Sequence, residues 1–128
     1  MSNKRIDKIF ARAKEAVSSN DKIKNLIGEV KGKIEEINDD TETRNSFVRE
    51  LQVIVRMIRA HFSGTYTAFS ISTILTLVFG LVYFITPIDL IPDFIPALGF
   101  TDDVSLIYMI IRSLAEDVAH FKEWEATS

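Results

Sequence analysis

Apolar residues recur every three or four positions through most of the chain, the period of an α-helix with one buried face. Ile6, Ile9, Phe10, Ala13 and Val17 form the first such stripe. SSND at 18–21 then supplies a break and a cap. A second stripe runs through Ile23, Leu26, Ile27, Val30, Ile34 and Ile37, with Gly28 and Gly32 inside it. The polar NDDTET segment at 38–43 predicts a turn, after which Phe47, Leu51, Ile54, Ile58 and Phe62 make a third stripe, broadened by Val48 and Val55. Gly64 is the expected joint before a fourth, very apolar helix. A fifth helix is predicted to begin at GFTDD and to carry Val104, Ile107, Tyr108, Ile111, Leu114, Val118 and Phe121. No short alternating runs joined by hairpin turns are present, so strand signals are poor. The expected fold is all-α: a small bundle of about five helices with a central hydrophobic helix and a proline-rich reversal.

The fourth element decides the environment. From Phe62 to Ile88 no residue carries a formal charge, and Ala68 to Ile85 reads AFSISTILTLVFGLVYFI. That length falls in the transmembrane range of about 17–25 residues. Tyrosines flank the run, Arg44, Arg49, Arg56 and Arg59 precede it, and Asp89, Asp93, Asp102 and Asp103 lie beyond it. Basic residues on the amino side place that side in the cytoplasm if the helix enters a bilayer. Ser and Thr residues between Thr65 and Thr76 argue the other way, as do three upstream amphipathic helices that need an apolar partner. A bundle helix that is apolar all round because its neighbours enclose it meets that need. Membrane association and a cytoplasmic soluble bundle therefore both stand. Within the helix Ser72, Thr76 and Gly80 lie four apart, with Thr73 beside them, a small or hydroxylated face on which another helix can approach closely.

At 128 residues the chain has room for one domain. Residues 1–62 are an amphipathic helical region, and 63–128 hold the hydrophobic helix, the reversal and the last helix, expected to form one structural unit with it. The net charge of -3 hides an asymmetry: residues 1–61 hold 13 Lys/Arg and 10 Asp/Glu, and residues 62–128 hold 2 and 8. No dense basic patch marks a nucleic-acid partner. Lys4, Arg5, Lys8, Arg12 and Lys14 accompany the first stripe, a pattern compatible with an anionic membrane surface or with an ordinary solvated face. Cysteine is absent, which removes disulfides, thiolate metal sites and cysteine nucleophiles. The amino-terminal stretch has no continuous apolar core of the kind a secretory signal needs.

Chemistry, if present, would sit in the segment from Tyr83 to Asp103, YFITPIDLIPDFIPALGFTDD. Pro87 biases Thr86 away from helical geometry, so the long helix should end there. Pro92 and Pro96 restrict the segment between them to short turns, and Gly99 suits a tight reversal. Asp89 and Asp93 are placed to cap short turns. Thr101 or Asp102 can cap the last helix, with Asp103 favourable in its first turn. A shared Mg²⁺ or Ca²⁺ site or a protein-contact surface are the alternatives for these carboxylates, although the spacing is no EF-hand loop. No nucleophile with a base, phosphate-cradling glycine loop or HExxH helix accompanies them, so no catalytic residue, cofactor or metal is assigned. His61 and His120 belong to no short metal-ligand pattern, and Trp124 suits either seating of the last helix or a membrane interface.

The same segment resembles the signature of the DUF1232, or YkvA-like, family. The matching positions are Tyr83, Pro87, Asp89, Ile91, Pro92, Asp93, Ile95, Pro96, Gly99, Asp102 and Asp103, over a domain of about residues 67–105. The resemblance implies a small helical bacterial domain, often beside hydrophobic helices and often membrane-associated. It implies no enzyme activity. Three readings are open: a non-enzymatic membrane-associated helical protein; a soluble helical protein that binds and neutralises or regulates a protein partner; and a metal-dependent enzyme, which the residues support least. The candidate partners are a lipid membrane, a protein partner or a second copy of the chain.

Overall fold

The computed structural model describes residues 3–36, 42–86 and 107–128. Helices run in the order α1 (Asn3–Ala16), α2 (Asn20–Glu36), α3 (Glu42–Ser63), α4 (Ile71–Ile85), then α5 (107–113) continuing into α6 (Ala115–Thr127). No strand occurs among the described residues, and the protein is an all-α bundle.

Local chemistry sets the boundaries. Ser18 closes α1 by donating its hydroxyl to the Glu15 carbonyl at 2.6 Å, and the Ser19 hydroxyl accepts from the Lys22 amide at 3.1 Å to start α2. The α3 helix ends at Gly64, whose φ of +83° is the left-handed conformation that glycine adopts without a Cβ penalty. The amides of Thr65 and Tyr66 then fold back onto the Ala60 carbonyl at 3.1 and 3.2 Å. The expected joint at Gly64 is therefore a helix C-terminal cap. Of the turn expected over 38–43, Glu42 and Thr43 belong to α3, and 38–41 lie outside the described residues.

The α4 helix packs against α1, α2 and α3. Its Leu77, Val78, Leu81, Val82 and Phe84 are fully buried, and they meet Ala13, Val30, Phe47, Leu51 and Ile54 in one core. Each large side chain so buried contributes roughly 1.5–3 kcal/mol. Phe47 and Phe84 meet edge to face with ring centroids 5.6 Å apart. The described residues of the second and third stripes lie in or against the core, but the first stripe is split. Ile9 and Ala13 are buried, whereas Phe10 is 43% exposed.

Three expectations change. The fourth helix is 15 residues long, not the 18 or more of the apolar run, because Ser70 caps it and leaves Ala68 and Phe69 in the connector. At 1.5 Å per residue it measures about 22 Å, short of a hydrocarbon core of about 30 Å. Among the described residues no helix is long and apolar enough to cross a membrane. Nor is α4 enclosed all round: Ile71 is 79% exposed, and Leu75, Thr76 and Phe79 are half-buried. The last helix is also interrupted, at Leu114 (φ −111°, ψ 30°), although its amide still reaches the Ile110 carbonyl at 3.1 Å.

Candidate functional site

Pro87, Asp89, Pro92, Asp93, Pro96, Gly99, Asp102 and Asp103 lie outside the described residues, as does the reversal expected there. The structure describes the ends that flank them. Thr86 adopts φ −75° and ψ 124°, the extended geometry that a following proline favours. Its amide reaches the carbonyls of Val82 and Tyr83 at 3.0 and 3.3 Å, and its hydroxyl donates to Val82 at 2.5 Å. Lys33 of α2 donates its ammonium to the Phe84 carbonyl and lies over the Phe84 ring, 4.7 Å from the centroid. A cation at a helix C-terminus meets both the unsatisfied carbonyls and the negative end of the helix dipole. The chain thus leaves α4 from a firmly held end.

The other end of α4 is tied to α6. The Ser70 hydroxyl accepts the Thr73 amide at 3.1 Å and donates to the Thr73 hydroxyl at 3.0 Å. That hydroxyl in turn donates to an Asp117 carboxylate oxygen at 3.3 Å. Thr73 is buried, so this chain of donors supplies the partner its hydroxyl requires.

Of the row Ser72, Thr76 and Gly80, only Gly80 is buried. A step of four residues turns 40° around a helix, so the row winds from the outer surface into a seam. Ser72 is exposed, Thr76 is half-buried and donates to the Ser72 carbonyl at 2.8 Å, and Gly80 faces α5. A Cβ at Gly80 would lie 2.7 Å from Ile110 Cδ1 and 3.5 Å from Ile107 Cδ1.

The outward side of α4 carries the feature the sequence did not single out. Ile71, Leu75 and Phe79 lie one turn apart on the side opposite Leu77 and Leu81. Phe10 of α1 completes this surface, its ring centroid 6.4 Å from that of Phe79. Together with Ser72 and Thr76 these residues line an open furrow of about 490 Å³. Around it, Lys14 sits over the Phe10 ring at 5.4 Å. Arg12, one of the basic residues of the first stripe, instead pairs with Glu29 of α2 at 2.9 Å.

Trp124 seats the last helix. Its ring lies 5.1 Å from Tyr66 and 5.6 Å from Phe121. His61 packs edge to face on Phe62 at 5.0 Å, and His120 is exposed. The His61 Nδ1 is buried and has no hydrogen-bond partner among the described residues. Among the same residues no three His, Cys, Asp or Glu side chains gather into a group that could hold a metal ion.

Residues 73–109 match DUF1232, a family described as a protein of unknown function. The chain is also similar to an uncharacterized membrane protein, YkvA, of Bacillus subtilis (strain 168), at 26% identity over 83 residues. Those residues are 65% of this chain and 78% of that relative. No solved structure matches.

Proposed function

We propose that this is a non-enzymatic, membrane-associated helical protein that lies on the bilayer, on its cytoplasmic face, rather than crossing it through α4. The observation that carries the reading is the outward side of α4. A 79% exposed isoleucine beside half-buried Leu75 and Phe79, continued by Phe10, is apolar surface that water does not favour. Its residues repeat at one-turn spacing, the arrangement of a helix lying in the interface with its apolar side toward the acyl chains. The description of the relative as a membrane protein supports the same reading.

Flotation of the purified chain with vesicles tests it. The wild type should float, and Ile71→Asp with Leu75→Glu should stay at the bottom of the gradient while keeping its helical circular dichroism. Recovery of the wild type wholly in the soluble, monodisperse fraction would overturn the proposal. A second reading, a helical protein that binds and regulates or neutralises a protein partner, is favoured by a separate observation, a cationic groove between α2 and α3.

A further inference from the structure

The α2 and α3 helices both pack against α4 and leave an open groove along their own seam. Counting 100° per residue, Lys24, Gly28 and Lys31 lie along one flank of α2 beside Ile23 and Ile27, and all five line the groove. Arg59 stands on the facing wall, close to Ala60 and Phe62. The groove has a volume of about 750 Å³. It continues past Lys31 and Arg59 into a second hollow of about 370 Å³, bounded by Ile34, Glu35, Gln52, Val55 and Arg56, so the cationic part of the rim is the first hollow. Its whole course from Asn20 to Glu35 is about 22 Å along the axis of α2.

The cations on this rim differ from those of the neighbouring seams. The α1–α2 and α3–α6 seams close their charges into pairs, Arg12 with Glu29 at 2.9 Å and Arg56 with Glu125 at 2.8 Å. Among the described residues Lys24, Lys31 and Arg59 form no such pair with a carboxylate. Lys24 and Lys31 stand two turns apart, about 10.5 Å, on one wall, and Arg59 faces them from the other. Between them the floor is apolar: Ile23, Ile27 and Ala60 are buried and Phe62 is half-buried.

We infer that this groove is a docking site for an acidic amphipathic helix of a protein partner. The length of the groove suits about four helical turns, its floor takes leucine-sized side chains at three- and four-residue spacing, and its rim meets carboxylates two turns apart. Charges spread along two walls match several acids on one elongated ligand better than a single phosphate. The groove shares no residue with the apolar surface of Ile71, Leu75 and Phe79, so the two sites can be altered separately. The inference rests on the partner-binding reading and is independent of the membrane one.

The test uses the full chain and a synthetic 15-residue helical peptide with leucines on one face and two glutamates seven positions apart. Nuclear magnetic resonance titration should show saturable shifts at Ile23, Ile27, Ala60 and Phe62. Lys24→Glu/Lys31→Glu/Arg59→Glu should weaken binding on the order of tenfold or more, because the two glutamates lose their exposed ion pairs and meet like charges instead. Lys8→Glu, on α1, should leave it unchanged, and added salt should weaken wild-type binding. Ile71→Asp/Leu75→Glu should bind the peptide like the wild type even though it no longer floats, which keeps the two proposals separable. The inference is overturned by no saturable binding, by equal binding of a peptide with glutamine for glutamate, or by shifts confined to other surfaces. It is equally overturned if vesicles of phosphatidylglycerol, rather than the peptide, perturb the groove residues.

Discussion

Gly80 offers the sharpest test of how α4 meets α5. A methyl group added there would sit 2.7 Å from Ile110 Cδ1, about 1 Å inside the usual carbon–carbon contact. Two terms oppose each other. Replacing glycine by alanine inside a helix stabilises it by about 1 kcal/mol. Forcing Ile110 aside costs about 1–3 kcal/mol as overpacking, less if its terminal methyl can rotate away. Gly80→Ala alone should therefore be between neutral and about 2 kcal/mol destabilising. Ile110→Val removes the obstructing methyl and by itself should cost about 0.5–1.5 kcal/mol. The double variant then has the alanine and no obstruction, so it should be more stable than Ile110→Val alone. Urea unfolding of the four proteins, followed by circular dichroism, closes the cycle. A coupling of about 1 kcal/mol or more in favour of the double variant is the expected result. Additivity within about 0.5 kcal/mol would refute the close approach of α5 to Gly80.

The ends and seams of the helices give two further outcomes. Ser70→Ala removes the cap of α4 and one partner of the buried Thr73 hydroxyl, and should lower stability by about 1 kcal/mol in the same urea assay. Arg56→Ala breaks a two-pronged pair with Glu125, with nitrogen–oxygen distances of 2.8 and 3.3 Å. Both side chains are partly exposed, so the loss should be no more than about 1 kcal/mol, and the difference from wild type should shrink in 1 M salt.

Much of the helical order was legible because it depends on nearest neighbours along the chain. The 3.6-residue recurrence of Ile23, Leu26, Ile27 and Val30, the serines at 18 and 19 and the glycine at 64 act within one turn of themselves. Pro87 likewise announces the extended geometry of Thr86. Three features were not legible in this way. A run of uncharged residues does not say where its helix starts, because the cap at Ser70 competes with several other Ser and Thr residues nearby. A four-residue row such as Ser72, Thr76 and Gly80 looks like one face in the sequence, yet it drifts around the helix until only Gly80 meets a neighbour. The three rim cations of the groove come from two helices, and no spacing rule links Lys24 and Lys31 to Arg59.

The order of residues was enough to show that the chain is helical, that its apolar stripes need a core, and that Tyr83 to Asp103 resembles the DUF1232 signature, within the matched residues 73–109. Each of these rests on local periodicity or on a contiguous motif. Packing in three dimensions set which side of the apolar helix is left uncovered, because burial depends on the neighbours that α1, α2 and α3 place against it. It also decided that Phe10 joins that surface while Ile9 enters the core, one residue and 100° apart on the same helix. Hydrophobicity marks a residue as one that gains by leaving water, but where it can do so is a property of the packed helices.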